Sequence, residues 1–169
     1  GIINSGATGT FSRVENYSML FADEKLTYNP ATPTMFYTLG KGTINLWLHP
    51  TANTGNEIAF FFQTGLDASR KESYMRTDGA GGIYFNDGTT STPALANTLN
   101  AWQMFTIRFG YLNSTSVELI KNADLRSNLS SANFSALWRL YIGSSDGTQY
   151  INGYIDEFKV YDTALSDNE

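Results

Sequence analysis

Residues 140 to 169 read LYIGSSDGTQYINGYIDEFKVYDTALSDNE, two short apolar runs either side of a Gly/Ser/Asp turn, with a carboxylate pair inside the second run. This pattern confines the end of the chain to β structure. Tyr141 and Ile142 are predicted to end one strand at Gly143, residues 144 to 149 are turn-formers, and Tyr154 to Tyr161 is a second strand rich in aromatic and β-branched residues. The pair is expected to form a β-hairpin with a long tip. Ile155 breaks parity with Phe158 and Val160. If all three face a core, one extra residue must be absorbed at Asp156 and Glu157, as in a β-bulge.

The rest of the chain repeats the strand-and-turn rhythm with almost no helical periodicity. Thr10 to Val14, Tyr17 to Phe21 and Leu26 to Tyr28 are short strand candidates, and the two prolines at 30 and 33 exclude a central strand there. Thr43 to Leu48 alternates Ile44, Leu46 and Leu48 against Thr43, Asn45 and Trp47. Ile58 to Gln63 holds Phe60, Phe61 and Phe62 in succession, so both of its faces must be covered and it is expected to be central. Ser73 to Arg76 and Gly82 to Phe85 are predicted as a hairpin around residues 78 to 81. Trp102 to Gly110 and Val117 to Ile120 are further strands, and residues 125 to 137 are expected to be an irregular connection with one short helical turn at 130 to 136. Eleven or twelve short strands suit an all-β fold, a two-sheet antiparallel β-sandwich of jelly-roll type with five to seven strands per sheet.

At 169 residues, 41% of them hydrophobic, the chain is the size of one domain with a core of its own. It starts at Gly1, which reads as a single domain over 1–169 excised from a larger protein. A net charge of −5 without a basic stripe excludes a nucleic-acid partner, because phosphate recognition needs clustered Lys and Arg. No run approaches the length of a membrane-spanning helix, so no membrane insertion is expected. There is no cysteine, hence neither a disulfide framework nor a thiolate metal site.

The terminal stretch, with its "IDEFKVYDTAL" run, resembles the closing signature of the laminin-G-like domains of the concanavalin A-like lectin/glucanase superfamily. Thr43 to Pro50, Trp102 to Arg108, Val117 to Asp124 and Ser18 to Phe21 resemble four other strands of that family. Glu24 replaces a usual glycine, and residues 119 to 124, LIKNAD, lack the usual turn glycine. The resemblance implies a jelly roll. With the lack of cysteine, it also implies a microbial secreted or surface protein, extracellular or at the cell surface. The function it implies is a non-catalytic recognition module, carbohydrate-binding (lectin-like) or serving cell adhesion. The alternative is a structural or assembly domain of an adhesin, phage or virion protein that binds only protein neighbours.

Glucanases of this superfamily set three acids on one strand face as E-x-D-x-x-E, because retaining chemistry needs carboxyls about 5–5.5 Å apart. That triplet is absent: Asp23–Glu24, Asp156–Glu157 and Asp167–Glu169 are the nearest acid pairs. With one histidine, His49, no His dyad is possible, and no enzymatic activity is expected. Family resemblance implies a structural calcium held by Asp156 together with backbone oxygens of the N-terminal segment, donors that suit a hard cation; the alternative is that Asp156 or Glu157 caps a backbone N–H or pairs with Arg13 or Lys159. For a glycan or a cell-surface protein ligand, aromatic rings beside polar side chains are the expected platform, since sugar C–H faces are apolar and hydroxyls need partners. Tyr74, Arg76, Tyr84, Asn86, Asp87, Trp138 and Asp146 are the candidate ligand-binding residues. Trp47 and Trp102 are expected to fill the core.

Overall fold

The computed structural model describes residues 3–5, 19–21, 25–28, 41–55, 57–63, 72–130, 139–144 and 149–168. Among them every regular element is a strand. One sheet holds seven strands in the order β1 (Ile3–Ser5), β3 (Leu26–Tyr28), β12 (Arg139–Ile142), β5 (Ile58–Gln63), β6 (Glu72–Thr77), β7 (Gly82–Asn86) and β8 (Leu95–Ala96). The other holds six, β11 (Leu125–Leu129), β10 (Val117–Lys121), β9 (Gln103–Phe109), β4 (Gly42–Pro50), β13 (Gly153–Tyr161) and β2 (Met19–Phe21). All neighbouring strands are antiparallel. The architecture is the expected two-sheet sandwich.

The core forms where the two inner faces meet. Ile44, Leu46 and Leu48 of β4 and Phe105, Ile107 and Phe109 of β9 face Phe60 and Phe62 of β5, Met75 of β6 and Phe85 of β7. Each such side chain contributes about 1.5–3 kcal/mol by leaving water. Phe61 lies on the opposite face of β5 with Ile58 and Tyr141, and all three are buried, so β5 is covered on both sides as its three successive phenylalanines require.

At one side of the sandwich, two polar residues tie the sheets together. Lys121 of β10 donates from Nζ to the Ala96 carbonyl at 2.6 Å, and Ser127 of β11 donates to the Pro93 carbonyl at 2.5 Å.

The expected bulge is present. Asp156 stands opposite Trp47 and Lys159 opposite Asn45, so Glu157 and Phe158 together oppose Leu46. Glu157 absorbs the extra residue at φ +46°. Ile155 thus remains in the core, and the Phe158 ring also reaches it, 5.7 Å from that of Phe60. Val160, opposite Ile44, lies nearer the sheet end and is partly exposed.

The terminal hairpin is not formed. β12 lies between β3 and β5, which occupy both of its hydrogen-bonding edges, so β13 pairs in the other sheet with β4 and β2. The connection is pinned by Ile151, whose N–H donates to the Gly143 carbonyl at 2.9 Å and whose side chain is buried.

Residues 125–129 form the edge strand β11 rather than an irregular connection. The strand was masked by its polar composition, since an edge facing water needs little apolar surface. Asn122 and Ala123 turn the chain into it with positive φ, without the family's glycine. The two-residue β8, in the Ser/Thr-rich tract, was not foreseen. The Thr10 to Val14 strand lies outside the described residues, as does the helical turn at 130 to 136 except for Ser130.

Candidate functional site

On β6 the alternation sends Ser73, Met75 and Thr77 inward and Tyr74 and Arg76 outward. On β7 it sends Ile83 and Phe85 inward and Tyr84 and Asn86 outward. Register then pairs Tyr74 with Asn86 and Arg76 with Tyr84. Four of the seven sequence-predicted ligand residues therefore share one patch on the outer face of the seven-stranded sheet.

The two tyrosine rings are 6.5 Å apart in an edge-to-face arrangement. The Arg76 guanidinium lies 5.5 Å from the Tyr74 ring centroid and 5.7 Å from that of Tyr84. Burial and the neighbouring Tyr84 push the Tyr74 phenol above its ordinary pKa, against the pull of Arg76. It stays a neutral donor and acceptor across the physiological range. Asn86 is committed at both ends of its amide, donating to Ser91 Oγ at 2.8 Å and accepting from Gly88 N–H at 2.6 Å. It frames the patch.

Asp87 is only 1% exposed, and its Oδ1 accepts from the N–H groups of Thr89 and Thr90 at 2.8 and 2.7 Å. It builds the turn after β7 and offers no surface to a ligand. Trp138 and Asp146 lie outside the described residues.

A second aromatic patch, on the outer face of the six-stranded sheet, corrects the expectation for two tryptophans. Trp47 is 38% and Trp102 43% exposed. The parity of β4 decides this for Trp47, because Leu46 and Leu48 take the inward positions. Strand alternation was visible in the sequence, and weighting it above the family match would have found the residue.

His49, one residue before the end of β4, packs edge-on against Trp102 at 5.3 Å and Tyr154 at 5.6 Å. The loop leading to Trp102 is held by the buried Gln103, which accepts from Thr98 N–H at 2.9 Å and donates to the Thr98 carbonyl at 2.7 Å.

Asp156 lies on this same sheet, at the bulge, where its Oδ1 accepts from Glu157 N–H at 2.7 Å. Glu157 in turn pairs with Lys159 at 2.6 Å. No group of three or more His, Cys, Asp or Glu positioned to hold a metal occurs among the described residues. A calcium at Asp156 would therefore depend on backbone oxygens.

Folding does bring two remote carboxylates together. Arg108, 1% exposed, pairs with Glu118 at 2.8 Å and with Asp167 at 2.6 Å, while Arg126 reaches Asp167 at 3.0 Å. The C-terminal segment covers this cluster: Thr43 Oγ1 donates to the Thr163 carbonyl and accepts from Leu165 N–H, both at 2.9 Å. Hydrogen bonds from Arg126 and then Arg108 hold the Asp167 carboxyl below the ordinary range. A glycosidase acid needs the opposite shift, a raised pKa that keeps its proton. The cluster acts as an ionic clasp.

Residues 24–169 match the family described as the concanavalin A-like lectin/glucanases superfamily. No curated protein matches in sequence. Among solved structures, the chain is similar to the binding domain of botulinum neurotoxin serotype D (TM-score 0.71, 12% identity, 99% of this chain and 44% of that one). It is also similar to the receptor-binding domain of botulinum neurotoxin type G (0.65, 16%, 99% and 44%). A third similar structure is domain 4 of AbnA, an extracellular arabinanase from Geobacillus stearothermophilus, in complex with arabinotriose (0.68, 13%, 99% and 84%). The chain thus spans less than half of the neurotoxin domains.

Proposed function

The chain belongs to the concanavalin A-like lectin/glucanase superfamily, and from that premise we propose that residues 1–169 form a non-catalytic glycan-recognition module of a microbial secreted or surface protein. One observation carries the reading: Tyr74 and Tyr84 present partly exposed rings 6.5 Å apart on one sheet face, with Arg76 alongside both. Aromatic faces for sugar C–H surfaces and a cationic fork for polar substituents are the pairing that carbohydrate recognition uses. Similar folds support it by analogy, since the AbnA domain is complexed with arabinotriose and a neurotoxin binding domain with SialylT. In the same proposal, a calcium ion at Asp156 has a structural role, remote from the glycan.

A glycan-array screen of the purified chain, repeated with Tyr74→Ala, tests this. A reproducible hit that weakens in the variant supports the reading, and a blank array overturns it.

A second reading is favoured by Trp47 and Trp102. Exposed tryptophans are enriched at the centres of protein interfaces, and Trp47 and Trp102 share one sheet face beside the Asp156 bulge. In this reading, a neighbouring protein of an assembly covers that face. The two readings use opposite faces of the sandwich, so variants separate them.

A further inference from the structure

We infer that the glycan bound at the Tyr74–Tyr84 face carries a carboxylate and that Arg76 selects it, an inference that rests on the glycan reading above. Among the described side chains, the other two arginines and the bulge lysine have carboxylate partners: Arg108 pairs with Glu118 and Asp167, Arg126 with Asp167, and Lys159 with Glu157. Arg76 has none. Its contacts are the two tyrosine rings, and its Nε is buried with no hydrogen-bond acceptor.

Such an arrangement is costly for folding alone. A guanidinium carries five N–H donors, and a buried donor without an acceptor forfeits its hydration with nothing in exchange. The rings orient the planar head, and its terminal Nη groups, rather than the enclosed Nε, are left for an acceptor from outside. A planar fork of N–H groups matches a carboxylate through two parallel hydrogen bonds. The flanking phenol rings add faces for a sugar ring, so a uronic- or sialic-type sugar fits better than a free anion. On a chain of net charge −5, general electrostatic attraction does not draw anions in. Selection then depends on this local contact.

The test measures affinities for two matched pairs, trigalacturonic acid with its methyl ester and 3′-sialyllactose with lactose. Inorganic sulfate serves as competitor. The proteins are the parent chain, Arg76→Met, Arg76→Lys and Tyr84→Ala. The inference expects at least one acid to bind about tenfold or more tighter than its neutral partner, the difference a charged hydrogen bond supplies. Arg76→Met should erase that preference while still folding cooperatively, because it keeps the stem and the removal of an unpartnered buried donor offsets the two lost cation–π contacts. Arg76→Lys, which keeps the charge without the fork, should lose most of the preference.

Equal binding of acid and neutral partner, lost in Tyr84→Ala, would overturn the inference and leave the glycan reading intact. Persistence of the preference in Arg76→Met would also overturn it. Displacement of the acids by equimolar sulfate would show a simple anion site instead, and no binding of either acid would overturn the inference, while the glycan reading stands or falls with the array.

Discussion

Arg76 on β6 and Tyr84 on β7 are direct cross-strand partners, with the guanidinium 5.7 Å from the ring centroid. Cation–π contacts at partly exposed sites contribute about 0.5–1 kcal/mol. Tyr84→Ala should therefore cost little stability, about 1–2 kcal/mol with the Tyr74 ring contact included. Its effect on glycan affinity should be larger, tenfold or more. Paired thermal melts and binding titrations check this, and a variant that unfolds would make Tyr84 a structural residue.

Glu57 contributes to acid stability. Its buried carboxylate accepts from Thr54 N–H at 2.8 and 2.9 Å, from Thr54 Oγ1 at 2.7 Å, and from the Thr77 hydroxyl. Burial alone would raise its pKa, but the hydrogen bonds outweigh it and the net direction is below 4.5. A carboxyl depressed in the folded state stabilises above the unfolded pKa, and that stabilisation is lost as pH falls through the folded value. Glu57→Gln should cost about 1–3 kcal/mol at pH 7. It should also flatten the decline in melting temperature below about pH 4.5.

Asp156 separates an ion from a cap. Loss of its 2.7 Å bond to Glu157 N–H should destabilise the Asp156→Ala variant by about 1–2 kcal/mol in any buffer. A calcium ion held there adds a second effect: chelator lowers the melting temperature of the parent and leaves the variant unchanged. Equal melting of the parent with calcium and with chelator removes the ion from the account and leaves the cap.

Trp102→Ala tests the opposite face. Loss of its contact with His49 should cost about 0.5–1.5 kcal/mol, and glycan affinity should stay within about twofold. Glycan affinity that falls with Trp102 while Tyr84→Ala binds normally would move the site to the six-stranded sheet.

Local patterns in the sequence carried the sandwich, the central strand and the bulge. Ile44, Leu46 and Leu48 alternate because one face is buried, and the broken parity of Ile155 and Phe158 required an extra residue at Glu157. Partner choice was not local. Tyr141 and Tyr154 flank a turn, yet their strands belong to different sheets, because β5 and β3 occupy both edges of β12. Alternation on β6 and β7 made the grouping of Tyr74, Arg76, Tyr84 and Asn86 accessible, since an inward Met75 and Phe85 force their neighbours outward. Asp87 was misread because a carboxylate in a turn looks alike whether it faces solvent or caps N–H groups. The burial of Arg108 depends on a clasp with Asp167, a partner 59 residues away that no local pattern reveals.

The most direct test of the glycan-recognition reading is a backbone-amide NMR titration of the chain with its strongest glycan-array hit. Saturable shifts are expected to concentrate on residues 72–77 and 82–86, with Trp47, Trp102 and Tyr154 unmoved. Shifts confined to the tryptophan face, or an array without a hit to titrate, would contradict it.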